Sequence, residues 1–267
     1  MPKFAANLSF LFNEVPFMER FAAAASAGFR GVEYLFPYGE DKDAIADALR
    51  TNGLQNVLFN LPPGDWDAGE RGLGALPGRE QDFREGLESA LAYALAAGTP
   101  RLHALAGIVP AEADVAECHD TFVRNLRHAC ERLAPHGITL LIEPINNRDM
   151  PGYFLNYQQG AHALLQRVGA PNLKVQMDFY HAQIMEGDII STFRQYLPHI
   201  GHVQIAGVPD RHEPNLGELN YPWLFEMMDE AGYDGWIGCE YRPRQGTVAG
   251  LGWMQPYQVR SEPSKAR

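Results

Sequence analysis

Four polar side chains lie at or near the ends of successive apolar segments in the second half of the chain. Glu143 ends ITLLIE, Asp178 ends LKVQMD, Gln204 lies within HVQIA and Glu240 ends WIGCE. The spacings of 35, 26 and 36 residues each fit one strand plus one helix. Because parallel strands joined by helices end at a common face, we expect these four residues to form one cluster of oxygen ligands.

Three carboxylates at one site would repel each other unless a cation balanced them. Oxygen ligands favour Mg²⁺ or Mn²⁺ over zinc, which prefers nitrogen and sulfur, although Gln204 leaves other divalent metals open. A divalent metal held by Glu143, Asp178, Gln204 and Glu240 is therefore the expected cofactor. The alternative is that each acid caps the following helix or pairs with a neighbouring cation.

The segments that follow these predicted strand ends are rich in polar residues: EPINNRDMPG, DFYHAQ and VPDRHEP. His181, three residues after Asp178, is placed to donate a hydrogen bond to a substrate oxygen, and Arg211 can bind a carboxylate through two parallel hydrogen bonds. A structural or solvated role is the alternative for each of them.

Eight short apolar runs alternate with amphipathic segments along the whole chain, which predicts parallel strands joined by helices. The runs are FAANL from Phe4, GVEYLF from Gly31, NVLFN from Asn56, RLHALAG from Arg101, ITLLIE from Ile138, LKVQMD from Leu173, HVQIAG from His202 and WIGCE from Trp236. The helical segments include Phe17 to Ala27, Asp82 to Ala97, Cys118 to Leu133 and Trp223 to Ala231. Eight repeats predict an α/β fold with a single (β/α)8 barrel over residues 1–258, followed by a disordered tail at 259–267. The alternative is an open doubly wound sheet, but this chain lacks the Gly-rich phosphate motif that such a sheet has after its first strand. The stretch from Leu61 to Glu80 is expected to form one long loop at the active site.

The formal charge of −11, without any basic run, argues against a nucleic-acid partner. The expected partner is a small anionic sugar-derived substrate, because a cation within one pocket reverses the local field. Cys118, Cys130 and Cys239 show no metal-finger spacing, which favours buried thiols in a reducing compartment. The N-terminus lacks a clean apolar signal core, and no segment has the length of a membrane span. We therefore expect a cytoplasmic protein with no membrane partner.

The chain resembles the hydroxypyruvate isomerase family, within the xylose isomerase-like barrels, from Phe4 to about Tyr257. The resemblance is carried by FAANLSFLF, NLPPGDWDAGERGLGALPGRE, IEPINNRDMPG, DFYHAQ, HVQIAGVPDRHEP, GELNYPWLF and GWIGCEYRP. IEPIN with DMPG is more similar to hydroxypyruvate isomerases, whereas VPDRHEP is equally similar to 2-oxo-tetronate isomerases.

This resemblance implies that Glu143 and Glu240 are the catalytic acid and base, that they share the metal with Asp178 and Gln204, and that hydroxypyruvate and tartronate semialdehyde interconvert through an enediolate. Some relatives have histidine where this chain has Gln204, a weaker neutral ligand. The candidate substrate-binding residues are His181, Arg211, Asn7, Asn60 and Asp149, and the resemblance also suggests a homo-oligomer. Two more remote alternatives are a metal-dependent endonuclease, whose relatives use many histidines for zinc, and a non-catalytic sugar-binding barrel.

Overall fold

The computed structural model describes residues 1–257, so the tail expected at 259–267 lies outside the described residues. Eight parallel strands follow one another around a closed barrel, each hydrogen-bonded to its neighbours in sequence, and β8 pairs with β1. The strands are β1 Lys3–Asn7, β2 Gly31–Tyr34, β3 Gln55–Asn60, β4 Arg101–His103, β5 Thr139–Ile142, β6 Leu173–Asp178, β7 Ile200–Ile205 and β8 Trp236–Cys239. The predicted barrel is thus confirmed, and the open sheet is wrong because β1 and β8 close it.

An outer layer of helices covers the barrel. It consists of α1 Phe17–Ser26, α2 Lys42–Asn52, α3 Glu80–Ala97, α4 Val115–Leu133, α5 Gln158–Val168, α6 Phe179–Met185, α7 Ile189–Tyr196, α8 Tyr221–Glu230 and α9 Thr247–Gly250, with 3₁₀ turns at Ala134–His136, Leu197–His199 and Leu251–Tyr257. In α4 the buried side chains of Cys118, Phe122 and Leu126 recur every fourth residue and face the barrel. Asp114 caps this helix by accepting from the N–H of Ala116 at 2.9 Å. None of the helices within residues 1–257 is long and apolar enough to span a membrane.

Several polar side chains are buried inside the barrel. Side chains alternate along a strand, so Gln176 and Asp178 of β6 share one face. Glu33 of β2 reaches His202 and Gln204 of β7 at 2.6 and 2.7 Å. Because β2 and β7 are not neighbours, these groups meet inside the barrel, beneath the ends of the strands.

Two irregularities in pairing set which residues of these strands point inward. Between β2 and β3 the register shifts after Val32, and between β6 and β7 it shifts after Val175. In each case the second strand contributes one extra residue, Val57 in β3 and Gly201 in β7. Such bulges bend the strand and change the direction of the side chains that follow.

All three cysteines are buried and free. This confirms that they are small core residues. The long loop after β3 runs from Leu61 to Arg79, as expected, and lies against the segment that follows β4. Gly72 there has a φ of 114°, and a Cβ on it would lie 2.4 Å from the Cβ of Leu105. Only glycine permits this backbone conformation and close approach.

Candidate active site

The four predicted ligands lie toward the C-terminal end of the barrel, but the close cluster of acid and histidine donors found within residues 1–257 consists of Glu143, Asp178 and His181, without Glu240. Glu143 directly follows β5, Asp178 ends β6, Gln204 lies in β7 and Glu240 directly follows β8. All four side chains are at least nine-tenths buried. Above them is a cavity of about 260 Å³, whose polar lining includes Glu143, Glu240, Asn60, Asp149, His181 and Arg211.

Arg211 supplies the positive charge that three buried carboxylates require. Its Nη2 lies 2.6 Å from Oε1 of Glu240 and 3.6 Å from Oδ2 of Asp178, and its Nη1 lies 3.8 Å from Oδ2 of Asp149. Burial lowers the pKa of Arg211, but the carboxylates, with Glu240 foremost, outweigh it and raise that pKa above its usual value. The guanidinium is therefore permanently charged and held by carboxylates of the protein itself.

The two glutamates differ in their surroundings. Oε2 of Glu240 accepts from Nδ2 of Asn7 at 3.0 Å and from Nε2 of Gln204 at 2.5 Å. Oε1 of Glu143 is buried and has no hydrogen-bond partner among the described residues. Burial, reinforced by the charges of Glu240 and Asp178, raises the pKa of Glu143 well above its usual range. Burial also raises the pKa of Glu240, to about 8, against the opposing effect of Arg211.

A divalent metal fits the donors found here. Oδ2 of Asp178, like Oε1 of Glu143, is buried and without a hydrogen-bond partner among residues 1–257. A nitrogen of His181 joins one oxygen of each of these acids within a 4.8 Å cluster. Burial, moderated by Arg211, raises the pKa of Asp178 to about 6. Two buried carboxylate oxygens without hydrogen-bond partners are the kind of donors that a hard cation binds.

The tautomer of His181 follows from its neighbour Asn146. Oδ1 of Asn146 accepts from the N–H groups of Arg148 and Asp149 at 3.0 and 2.8 Å, so Nδ2 must face His181. That Nδ2 lies 2.6 Å from Nδ1 of His181, which therefore accepts. Burial, reinforced by Arg211, lowers the pKa of His181 well below its usual value, so the ring is neutral. Nη2 of Arg211 faces the other ring nitrogen, Nε2, but at 3.5 Å this contact is much longer than the 2.6 Å contact from Asn146. We therefore assign the proton to Nε2, which lies 3.6 Å from Oδ2 of Asp178.

Gln204 lies in the cluster with its amide already engaged. Its Nε2 donates to Glu33 and Glu240, while its Oε1 accepts from Gln176 at 2.7 Å. Turning the amide over would set its oxygen against two carboxylate oxygens, so this orientation is the stable one. Binding of a metal by Gln204 would require its oxygen to leave Gln176.

The predicted substrate-binding residues lie at different depths. Asn60, Asp149, His181 and Arg211 line the cavity, whereas Asn7 lies beneath it and holds Glu240 and Glu33. The sequence did not reveal Glu33, Gln176, His103 and His202, because they are polar residues inside apolar runs. It also left Phe10, Trp66, Arg71 and Arg242 unassigned, although they line the same cavity. The sequence feature that could have identified Trp66 and Arg71 is their position in the long loop after β3.

Comparisons with known proteins agree with this architecture. Residues 21–257 match the model of the xylose isomerase-like TIM barrel family. The 2-oxo-tetronate isomerase of Cupriavidus necator is 60% identical over 96% of this chain and 99% of its own length. The hydroxypyruvate isomerase of Escherichia coli is 48% identical over 97% of this chain and 100% of its own.

Solved structures extend the agreement to three dimensions. A crystal structure described as an AP endonuclease, family 2, from Brucella melitensis is 56% identical, with a TM-score of 0.95 over 97% of this chain and all of the other. An L-ribulose 3-epimerase gives a TM-score of 0.76 over 96% of this chain and 86% of the other, at 19% identity, which shows a shared fold alone. From its barrel, its paired glutamates and its full-length relatives, the chain belongs to the xylose isomerase-like TIM barrel family, and it is an isomerase.

Proposed function

We propose that this enzyme moves a carbonyl between C2 and C3 of a short 2-oxo acid, interconverting hydroxypyruvate and tartronate semialdehyde. The observation that carries the proposal is the convergence of Glu143 and Glu240, from the ends of β5 and β8, on one buried cavity of about 260 Å³. Both have raised pKa values, which suits groups that must gain and lose a proton near neutral pH. A sugar-binding protein has no need of such a pair.

In the proposed reaction one glutamate removes a proton from C3 of hydroxypyruvate to give an enediolate. The other glutamate delivers a proton to C2, while the proton of the C3 hydroxyl passes to the C2 oxygen. The carbonyl is then at C3, and the roles reverse in the opposite direction. Nε2–H of His181 donates to the oxygen on which negative charge develops. General acid–base catalysis of this kind contributes about 10²–10⁴-fold.

The proposed metal ligands are Glu143 and Asp178, joined by Glu240 and by Gln204 once its oxygen leaves Gln176. Mg²⁺ or Mn²⁺ bound there would polarise the carbonyl and stabilise the developing oxyanion. His181 is assigned to the substrate rather than to the metal, because the hydrogen bond from Asn146 leaves the proton on Nε2.

A four-carbon substrate is the second candidate. It is favoured by the 60% identity to the Cupriavidus necator protein named 2-oxo-tetronate isomerase, against 48% to the Escherichia coli hydroxypyruvate isomerase. The chemistry at C2 and C3 is the same for both acids, so the two candidates share every catalytic residue. They differ only in the room needed beyond C3.

Endonuclease activity is the remaining alternative, and the name of the Brucella melitensis structure raises it. The formal charge of −11 opposes binding of a polyanion. The cavity of about 260 Å³ also suits a small molecule better than a nucleic-acid strand.

Proton exchange tests the proposed function directly. Purified enzyme with Mg²⁺ or Mn²⁺ is incubated in deuterated water with hydroxypyruvate, 2-oxo-tetronate, a six-carbon ketose or an abasic duplex, and exchange and products are followed by NMR. We expect exchange with at least one of the two acids and its loss on adding a chelator. Glu143→Gln and Glu240→Gln should each abolish isomerisation, because each proton transfer needs its own glutamate, whereas Glu131→Gln, at an exposed position of α4, should not. Near-full turnover in either active-site variant would refute the assigned roles.

A further inference from the structure

The mouth of the cavity carries an anchored arginine that the mechanism does not use. Arg71, in the loop after β3, is half-buried, and its guanidinium carbon lies 3.9 Å from the ring centre of Trp66. Its Nη1 donates to the carbonyl oxygens of Trp66 and Glu70 at 2.8 and 2.7 Å. Stacking and these two hydrogen bonds fix the plane of the guanidinium before any ligand binds.

The charge of Arg71 has no carboxylate partner. No acidic oxygen lies within 4.0 Å of it among residues 1–257, and its Nε and Nη2 form no hydrogen bond there. The adjacent Glu70 is taken instead by Arg79 and by the N–H of Asp65. A half-buried, pre-oriented guanidinium with free donors is a ready receptor for an anion.

Arg211 is a poorer receptor for an anion than Arg71. Glu240, Asp178 and Asp149 surround its guanidinium at 2.6 to 3.8 Å, so it is already engaged by side chains of the protein. An anion bound to it would face these carboxylates at short range. Arg242 also lines the cavity, but its side chain is exposed and forms no hydrogen bond or ion pair in the described part of the chain.

We propose that Arg71, held against Trp66, is the binding site for the carboxylate of the substrate. This assignment rests on the proposed function. The acid end would lie at the mouth of the cavity, toward the loop after β3, and the carbons that exchange protons would point toward Glu143 and Glu240. Arg71 would select for anions, and Glu143 and Glu240, deeper in the cavity, would select the position of the carbonyl.

Inhibition by unreactive analogues tests this assignment without relying on turnover of a second substrate. Glycerate has the carbon skeleton of hydroxypyruvate with the carbonyl reduced, and glycerol replaces its carboxylate with a neutral group. Inhibition constants for both are measured against the better of the two acid substrates. The variants are Arg71→Gln, Arg71→Lys, Trp66→Leu, Arg242→Gln and, as a matched control on α3, the exposed Arg84→Gln.

We expect Arg71→Gln to raise the inhibition constant of glycerate and the KM of the substrate by about 10- to 100-fold, the effect of losing hydrogen bonds to a charged group. The constant for glycerol should stay within about twofold. Arg71→Lys should recover part of the loss, because the charge returns without the stacked plane, and Trp66→Leu should show an intermediate loss. Arg84→Gln should match the parent enzyme.

Three results would overturn the assignment. They are an unchanged glycerate constant in Arg71→Gln, an equal loss for glycerol, and a selective loss in Arg242→Gln alone. If the parent enzyme isomerises neither acid, the proposed function itself fails, and this outcome is distinct from a failure of the Arg71 assignment in an active enzyme.

Discussion

Replacement of His181 gives a quantitative test of whether this residue binds the metal or the substrate. The ring nitrogen Nε2 lies 3.6 Å from Asp178 and 3.9 Å from Glu143, close enough to share a metal with both. The hydrogen bond from Asn146 instead makes Nδ1 the acceptor and puts the proton on Nε2. A protonated nitrogen cannot bind a metal. His181 should therefore act on the substrate and contribute little to metal affinity.

The magnitude follows from the hydrogen bond that would be lost. A bond to a charged oxygen contributes about 1.5–3 kcal/mol, and 1.36 kcal/mol corresponds to a tenfold change in rate. His181→Leu should therefore lower kcat/KM by about 10- to 150-fold. His181→Gln should recover part of this, because a glutamine amide can put a donor near the position of Nε2.

Two measurements on the same proteins are sufficient. NMR gives kcat/KM for isomerisation, and electron paramagnetic resonance of free Mn²⁺ gives the dissociation constant of the metal. We expect the Mn²⁺ constant to change by less than about threefold in both variants, whereas loss of a metal ligand should weaken binding at least as much as loss of a supporting partner, about 10- to 100-fold. If Mn²⁺ binding weakens by more than tenfold and saturating Mn²⁺ restores kcat/KM, His181 is a metal ligand and the reasoning from Asn146 is wrong.

Two further predictions concern stability. Burial raises the folded-state pKa of Glu240 to about 8, above its ordinary 4.5, so its contribution to folding stability is fully present below pH 4.5 and is lost as the pH rises to 8. With a chelator present, the Tm of the parent protein should therefore fall over this pH range more than the Tm of Glu240→Gln. Parallel Tm profiles for the two proteins would contradict this. Glu33 accepts three buried hydrogen bonds, from Asn7, His202 and Gln204. Glu33→Gln should therefore lower the free energy of unfolding, measured by urea titration, by about 3–5 kcal/mol. A loss as small as that of the exposed Glu131→Gln would show that these hydrogen bonds do not stabilise the fold.

The fold could be predicted from the sequence because each strand is a short apolar run followed by a helical pattern. Even the three-residue β4 could be found, since RLHALAG is apolar beyond its last paired residue. The predicted starts of α3, α4 and α8 are two to three residues late, because the first turn of a helix and its capping residue, such as Asp114, lie outside the apolar pattern. Pairing of β8 with β1, which closes the barrel, is a long-range contact that only the count of eight suggested.

The candidate site was predictable where a polar residue ends an apolar run, as Glu143 and Asp178 do. It was not predictable where the contact is made across the barrel. Glu33 looks like one exposed residue of an alternating strand, and only the closed barrel brings it to His202. The pairing of Arg211 with Glu240 was likewise hidden, since sequence analysis assigned this arginine to the substrate. The engagement of Gln204 by Gln176 depends on the same long-range geometry.

The extra residue in β7 has a consequence for how this barrel tolerates insertions and deletions. Gly201 sets the phase of the strand, so that His202 and Gln204 point inward and Val203 and Ile205 point to the helices. Deletion of one residue there would exchange the two sets, exposing the polar pair to an apolar layer and presenting two aliphatic chains to the carboxylates. Length variation is therefore far safer in the loops than in this strand, and aligned homologues should keep its spacing to Glu240 even where residue types differ.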